Sequence, residues 1–369
     1  MLNTYRLLVK IVIFTIICFK LNAESGIQAT QFELLDGKNS SFWRKLTKED
    51  YQDLNFYKRI YLKHLPLLQH PLNDTKIPKV IHYIWLGPKS FPTTSIKYVE
   101  SWKSRHPEWV FKFWTDSSER PVPLEGMEKH LISELACLHV GAFLDQTQNY
   151  GEKSDLLRYE ILLQEGGVYV DHDIECFQSF DSLNQSFDFY TCLEPPHRNA
   201  GIKTRIFPCN GLIGAKPFHP ILIRTLDIVA KIWEPVAMRF PINGSKNDFA
   251  RVMNRTFHSF TLGTREGIDR KGNVDMVFPA SFFSPDNIFT ADLIEKLKND
   301  RLVYASHKFA ATWFEADKAP FIKKDSKHQK KTKAKSKKRW EAFAAMIILG
   351  GVIAFLVRSQ KDEKKIRDE

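Results

Sequence analysis

Residues 80–115 read VIHYIWLGPKSFPTTSIKYVESWKSRHPEWVFKFWT, and this stretch decides the fold class. Val80 to Leu86 is an apolar run that ends at Gly87, which predicts a buried strand. Ser95 to Arg105 predicts a helix, and Trp109 to Thr115 predicts a second strand. Because a helix separates the two strands, we expect them to pair in parallel.

The same alternation of strands and helices continues from about Lys76 to Phe314, which predicts an α/β domain. The patterns GxGxxG and GxxxxGK[ST] do not occur in the chain. Neither a dinucleotide site nor a P-loop is therefore predicted.

A second informative stretch begins at Ser154, which predicts the N-cap of a helix from Asp155 to about Gln164. Gly166 and Gly167 would end this helix. Asp155 and Arg158 are three residues apart and share a face, at a helix start whose amide donors favour anionic ligands. A surface ion pair is the alternative interpretation.

The segment Gly166 to Asp173 predicts a short strand, Val168 to Val170, followed by the acidic pair Asp171 and Asp173. Two carboxylates at a strand end offer hard oxygen ligands, which suit Mg²⁺ or Mn²⁺ bridging a diphosphate. An isolated Asp-x-Asp is usually turn chemistry, so the prediction depends on what accompanies it.

Three motifs occur in this order along the chain: Ile77 to Trp85, Lys153 to Tyr159, and Gly166 to Asp173. Together they resemble the DXD-containing sugar transferases, a family that includes fungal α-1,6-mannosyltransferases and inositol-phosphoceramide mannosyltransferases and is distantly related to clostridial glucosylating toxins. The resemblance covers roughly Ile77 to Trp313. It implies a GT-A-type fold with a mixed, mainly parallel central sheet, a UDP- or GDP-hexose donor, Mn²⁺ or Mg²⁺, and retention of anomeric configuration.

The resemblance also implies roles for individual residues. Asp171 and Asp173 would hold the cation, and His307 would approach the cation or the phosphates. Asp155 and Arg158 would bind the donor sugar and, with Asp173, form the catalytic set. No catalytic base is predicted, in keeping with a retaining mechanism in which the leaving phosphate accepts the proton.

Further candidates surround the predicted donor pocket. Trp85 would stack on the nucleotide base, although a core tryptophan is the alternative. Tyr169 would line the pocket, and Trp313 would close over the donor. Asn210 would face the acceptor side, or form a turn before glycine. Two more residues are assigned less specifically: His172 as a solvent-facing or packing residue, and Glu194 as a pocket candidate.

The net charge of +11 is concentrated near one end, since Lys323 to Arg339 contains ten Lys or Arg and one Asp. No basic and aromatic pattern of a nucleic-acid module accompanies it, so no nucleic-acid partner is predicted. The run is interpreted as a linker at an anionic membrane surface. Among the cysteines, Cys137, Cys176, Cys192 and Cys209 could form two disulfides or remain thiols.

Both ends of the chain predict membrane contact. An apolar run up to Phe19 predicts a signal peptide or N-terminal anchor, and the uncharged run from Ala342 to Val357 predicts a single transmembrane helix. An exported or secretory-pathway catalytic domain is favoured, while the orientation stays open. The predicted organisation is a leader (1–23), a helical extension (24–75), the transferase domain (76–318), a basic linker (319–339), a transmembrane segment (340–358) and a charged tail (359–369).

The sequence thus predicts transfer of a hexose, with mannose as the guess, to a glycolipid or glycan acceptor at a membrane. Two alternatives stay open. One is a toxin-like effector that glycosylates a protein, and the other is an inactive, membrane-tethered protein that binds nucleotide sugars.

Overall fold

The computed structural model describes residues 31–38, 40, 43–68, 74–197, 202–241, 245–310 and 312. The described strands are β1 (Val80–Trp85), β2 (Val110–Thr115), β3 (Glu128–Leu131), β4 (Gly167–Val170), β5 (Ile174–Cys176), β6 (Phe189–Cys192), β7 (Leu212–Ala215), β8 (Asp275–Phe278) and β9 (Ala305–His307). The helices are α1 (Lys48–His64), α2 (Thr93–Arg105), α3 (Gly141–Gln146), α4 (Tyr150–Glu165), α5 (Asp181–Ser186), α6 (Pro220–Arg239), α7 (Ser245–Val252), α8 (His258–Gly267) and α9 (Ala291–Asn299). Residues 31–35 are also helical.

Within the described residues, seven strands form one sheet in the order β3-β2-β1-β4-β7-β6-β8. β7 runs antiparallel to both its neighbours, while the other four pairings are parallel. β5 and β9 form a separate antiparallel pair. The predicted α/β class and the mixed, mainly parallel sheet are therefore confirmed.

The predicted strand, helix and strand at 80–115 are present. β1 and β2 pair in parallel from Val80 opposite Val110 to Trp85 opposite Thr115. The interior of β1 is buried, as expected for a strand flanked by neighbours on both sides. α2 begins at Thr93, two residues earlier than predicted, because Pro92 provides the extended residue that precedes the helix.

The predicted start of the helix before Gly166 was wrong. α4 begins at Tyr150, and its N-cap is Asn149, whose side chain accepts a hydrogen bond from the Glu152 amide at 3.0 Å. Asp155 therefore lies in the second turn, where the amides donate within the helix and are not available to a ligand. The helix stops at Gly166, which has a φ of 67°, as the glycine pair predicted.

α1 forms part of the predicted helical extension and packs on the edge of the sheet. Thr47 and Asp50 form a capping box at its start. Tyr61 is buried and its ring contacts Phe278 of β8 at 6.4 Å. Asp50 also pairs with Arg205 at 3.0 Å, which fixes a distant loop to this helix.

Several predictions concern segments outside the described residues. These are the leader, the basic linker, the transmembrane segment, the charged tail and Trp313. In the described part of the chain, no helix has both the length and the apolar character needed to cross a bilayer. The four cysteines Cys137, Cys176, Cys192 and Cys209 are free thiols.

Candidate active site

The Asp-x-Asp segment lies between β4 and β5, near the centre of the sheet. The Asp171 amide donates to the carbonyl of Gly211 at 2.8 Å, which continues the pairing of β4 with β7 for one residue. β5 then pairs with β9, and Ile174 stands opposite His307. This pairing brings His307, far along the chain, beside the acidic pair.

Two carboxylates and an imidazole converge here. His307 Nε2 lies 3.3 Å from Asp173 Oδ1 and 3.9 Å from Asp171 Oδ2. One potential ligand atom from each residue lies within 4.8 Å of the other two. The geometry brings together the three residues predicted to hold a cation.

These potential ligand atoms fit Mn²⁺ or Mg²⁺, because both cations bind carboxylate oxygens and Mn²⁺ also binds imidazole nitrogen. Gly211 makes room for the cluster. A Cβ on this residue would lie 2.7 Å from Asp171 Oδ2 and 3.1 Å from His307 Cε1. The absence of a side chain at 211 thus allows the carboxylate and the imidazole to approach each other.

Asp173 is held firmly in place. Its Oδ2 accepts a hydrogen bond from the Ala310 amide at 2.6 Å, and its carbonyl accepts one from the Lys308 amide at 3.0 Å. Burial would raise the pKa of Asp173, but His307 and the Ala310 amide outweigh burial and hold that pKa well below its usual range. Asp173 is therefore a carboxylate across the physiological pH range.

Arg158 connects the acidic pair to α4. Its guanidinium contacts Asp155 Oδ1 at 2.7 Å, Asp171 Oδ1 at 3.4 Å and the carbonyl of Asn210 at 2.7 Å. Its Cζ also lies 4.2 Å from the ring centroid of Tyr169. With four fixed contacts, Arg158 is a preorganised cation beside the candidate metal site.

Tyr169 is buried beneath these groups. Its hydroxyl donates to Asp171 Oδ1 at 2.6 Å, while its ring packs on Arg158. Burial raises the pKa of this phenol, so the hydroxyl stays a neutral donor. Tyr169, which was predicted to line the donor pocket, supports both Asp171 and Arg158.

Asp155 is also tied to a distant segment. Its Oδ2 accepts a hydrogen bond from the Thr256 hydroxyl at 2.5 Å. Thr256 lies in a π-helical turn, Met253–Phe257, between α7 and α8. Burial raises the pKa of the Asp155 carboxyl, and Arg158 beside it opposes that shift. Asn210 completes the cluster, since its side-chain amide donates to the Tyr159 hydroxyl at 3.0 Å.

His172 points away from the two aspartates. Its Nδ1 lies 2.8 Å from the Ser95 hydroxyl, and its Nε2 lies 3.0 Å from the Thr312 hydroxyl. Its ring meets Trp85 edge-on at 5.1 Å. His172 is thus a packing residue, as one of its two interpretations predicted. Trp85 is half-buried, and its indole nitrogen donates to the Lys89 carbonyl at 2.8 Å.

Glu194 follows β6, and its carboxyl group interacts electrostatically with His197, His307 and Asp171. Its Oε2 lies 3.6 Å from His197 Nε2, and its side chain is 12% exposed. Burial raises the pKa of Glu194, which favours the protonated acid more than at an exposed position.

Known protein families match the part of the chain that contains most of this cluster. Residues 92–190 match the family model described as "Glycosyltransferase sugar-binding region containing DXD motif". Residues 142–240 match a model for a capsular polysaccharide synthesis protein. The first match includes Asp155, Arg158, Asp171 and Asp173. Residues 92–190 thus match the sugar-binding region of DXD-motif glycosyltransferases, and the predicted resemblance is confirmed.

Several relatives share part of this chain. A Legionella pneumophila protein called "Subversion of eukaryotic traffic protein A" is 33% identical over 42% of this chain and 25% of its own length. Inositol phosphoceramide mannosyltransferase 3 of Schizosaccharomyces pombe is 29% identical over 46% of this chain and 43% of its own length. The chain thus spans less than half of either relative. Among solved structures, the PaToxG glycosyltransferase is 18% identical, with a TM-score of 0.40, and the match covers 69% of this chain and 86% of that one.

The DXD region alone did not reveal all the residues of the site. Tyr159 could have been found from sequence, because it lies one helical turn after Asp155 on the same face. Thr256 and Gly211 carry no such signal. Thr256 is 101 residues from Asp155, and a lone glycine has many structural uses.

Proposed function

We propose that this protein is a cation-dependent glycosyltransferase that moves a hexose from a UDP- or GDP-sugar to a carbohydrate-bearing acceptor. One observation carries the proposal: Asp171, Asp173 and His307 converge beside the pair formed by Asp155 and Arg158. The DXD glycosyltransferase region, which contains four of these five residues, supports the same activity. We further propose that the mixed sheet with the acidic pair after β4 is of the GT-A type.

Charge is the main requirement of such a reaction. Transfer breaks the bond from C1 of the hexose to a diphosphate oxygen, so negative charge grows on the leaving diphosphate. A divalent cation supplies Lewis-acid stabilisation of that charge when it is bound by Asp171 and Asp173, with His307 as a third ligand. Arg158 adds a fixed positive charge within contact distance of Asp171.

Asp155 is suited to hold the donor sugar. Arg158 and Thr256 contact one oxygen each, and the Asn210 side chain is a third hydrogen-bond partner. A carboxylate can accept about four hydrogen bonds, so a sugar hydroxyl can bind without displacing these partners. We further propose that transfer retains the anomeric configuration. The leaving phosphate accepts the proton of the acceptor hydroxyl as the oxygen of that hydroxyl bonds to C1 of the hexose. Glu194 is the first carboxyl group to test as an alternative to the phosphate.

The acceptor proposed here is a glycolipid or glycan at a membrane, with mannose as the transferred sugar. The S. pombe relative is named inositol phosphoceramide mannosyltransferase 3, which supports this choice. A toxin-like effector that glycosylates a protein is the second candidate, and the Legionella relative, named for subversion of eukaryotic traffic, supports an effector role. An inactive binding protein is disfavoured because Asp155, Asp171 and Asp173 are all present.

The activity can be tested with the purified full-length chain and a panel of UDP-glucose, UDP-galactose and GDP-mannose. We expect release of UDP or GDP from one donor in Mn²⁺ and none in EDTA. Asp171→Asn and Asp173→Asn should each lower this release by about 10²-fold or more, as for loss of a preorganised charge. Asp227→Asn, an exposed acid on α6, is the control and should match the wild type.

Release from none of the donors would contradict the proposal, as would wild-type rates in both aspartate variants. The acceptor class can be tested with a radiolabelled donor and a membrane fraction. Label in the lipid extract or in free glycans supports the leading candidate, whereas label in precipitated protein supports the second.

A further inference from the structure

The π-helical turn Met253–Phe257 joins α7 to α8. Here the His258 amide donates to the carbonyl of Met253, five residues earlier, so the turn holds one residue more than a turn of α-helix. Such insertions are frequent at functional sites. The turn lies outside the ranges that match the two family models, residues 92–190 and 142–240.

Arg255 anchors this turn in the protein interior. Its side chain is 6% exposed, and its Cζ lies 3.7 Å from the ring centroid of Trp233 on α6. Its Nε and Nη2 donate to the carbonyl of Trp233 at 3.2 and 3.1 Å, and its Nη1 lies 3.6 Å from Glu152 Oε1 on α4. A buried guanidinium with partners on two helices fixes the turn relative to both of them.

Thr256, the next residue, contacts α4 at two points. Its hydroxyl lies 2.5 Å from Asp155 Oδ2, and its carbonyl accepts a hydrogen bond from the Tyr159 hydroxyl at 3.2 Å. Asp155 and Tyr159 are one helical turn apart on the same face of α4. The Tyr159 ring also stacks on Phe260 of α8, with centroids 5.5 Å apart. The position of Thr256 beside Asp155 is therefore fixed from several sides.

The hydroxyl of Thr256 has one proton and two nearby acceptors. Asp155 Oδ2 lies at 2.5 Å, and the carbonyl oxygen of Val252 lies at 2.9 Å. Asp155 is paired with Arg158, and a hydrogen bond to an ionised carboxylate is about twice as strong as one to a neutral acceptor. The hydroxyl therefore donates mainly to Asp155.

The orientation of the Asp155 carboxylate depends on such partners, because an aspartate carboxyl group rotates with little preference about its bond to Cβ. Arg158 contacts Oδ1, Thr256 contacts Oδ2, and the Asn210 side chain is a further partner. Contacts to both oxygens set the plane of the carboxylate. The Asp155 side chain is 12% exposed, whereas Thr256 is fully buried. Thr256 can therefore act on a bound ligand only through Asp155.

We propose that Thr256 is a positioning residue for the donor sugar: its hydroxyl sets the plane of the Asp155 carboxylate, and that plane determines how the hydroxyl groups of the hexose are held. This inference rests on the proposed function, in which Asp155 binds the hexose. Because Asp155 contacts the hexose and not the nucleotide, the effect of Thr256 is confined to ligands that carry a hexose.

The experiment measures donor release by the purified full-length chain in Mn²⁺. The donors are UDP-glucose, UDP-galactose and GDP-mannose, and UDP and GDP serve as competitive inhibitors. Thr256→Val has the same shape without the hydroxyl. It should lower kcat/KM by about 10- to 100-fold, the usual effect of losing a hydrogen bond to a charged group. The inhibition constants of UDP and GDP should not change, because neither molecule contains a hexose.

Three further variants separate positioning from a structural effect. Thr256→Ser keeps the hydroxyl and should restore most of the activity that Thr256→Val loses. Thr261→Val is the matched control and should match the wild type, because the Thr261 hydroxyl likewise bonds to a carbonyl one turn earlier, that of Phe257, on the same helix. Thr256→Ala removes the same hydroxyl and replaces Thr256→Val if the valine variant does not fold.

The proposal is overturned if Thr256→Val releases UDP or GDP as fast as the wild type, or if Thr256→Ser is as slow as Thr256→Val. It is also overturned if Thr261→Val loses as much activity, or if inhibition by UDP and GDP weakens in proportion. In each of these cases an active wild type leaves the proposed function intact. A wild type that acts on none of the donors contradicts the proposed function itself and, with it, the bound hexose that this inference requires.

Discussion

Gly211 illustrates how much the candidate site depends on a single small residue. It follows Asn210 and immediately precedes β7, and its carbonyl accepts a hydrogen bond from the Asp171 amide. A Cβ there would meet Asp171 Oδ2 at 2.7 Å, the end of a side chain that can rotate away. The substitution should therefore disturb the position of the carboxylate more than the stability of the fold.

We expect Gly211→Ala to lower cation-dependent donor release by about 10²-fold, since a displacement near 1 Å in a catalytic group has that effect. Mn²⁺ affinity, measured by EPR titration, should fall in parallel while the melting temperature changes little. Gly141→Ala is the control, because a Cβ there meets only the Cys137 Cβ at 3.6 Å. Unchanged Mn²⁺ affinity in Gly211→Ala would show that Asp171 does not hold the cation.

Two glycines on α8 let it pack closely against α6. A Cβ on Gly263 would lie 2.8 Å from both the backbone nitrogen and the Cα of Thr225, and one on Gly267 would lie 2.7 Å from the Cα of Ile221. Backbone atoms of a packed helix cannot move aside as a side-chain end can. This contact matters for function because α8 continues the π-helical turn that carries Thr256.

Gly263→Ala should therefore lower the free energy of unfolding by about 1–3 kcal/mol, the usual cost of overpacking. Equilibrium urea unfolding of the purified full-length chain measures this change. Gly141→Ala should stay neutral or gain up to about 1 kcal/mol, since alanine favours a helix more than glycine does. Equal stabilities of the two variants would disprove the close packing of α6 and α8.

At the scale of the whole molecule, the segment before α1 is attached through a buried carboxyl group. Asp36 is fully buried, and its Oδ1 accepts a hydrogen bond from the Ala280 amide at 3.0 Å. Its Oδ2 has no partner among the residues that the structure describes. Burial raises the pKa of Asp36 well above its ordinary value, so the folded state favours the protonated acid.

A raised carboxyl pKa gives stability that is complete below the unfolded pKa of about 3.9 and is lost as the pH rises through the folded pKa. Asp36→Asn cannot ionise, so we expect it to melt at a higher temperature than the wild type at pH 7.5. The difference in melting temperature should shrink toward pH 4. Each kcal/mol of difference in the free energy of unfolding corresponds to about 2–4 °C in melting temperature. Calorimetry at both values tests the prediction. A pH-independent difference in melting temperature would contradict the burial of an ionisable Asp36.

The sequence by itself determined the features that depend on neighbouring residues. Apolar runs predicted the strands β1 and β2 and the helix α2 between them. A helix between two strands predicted that these strands pair in parallel, as they do. Spacing alone put Asp155 and Arg158 on one face, where they form an ion pair. The start of α4 was missed because Ser154 and Asn149 are both good caps, and only packing chose between them.

Only the tertiary structure decided which distant residues complete the site. His307 joins Asp171 and Asp173 because β9 pairs with β5, and Thr256 reaches Asp155 through a π-helical turn. Local spacing fixes the direction of a side chain within one element, but sheet pairing and helix packing fix which elements meet.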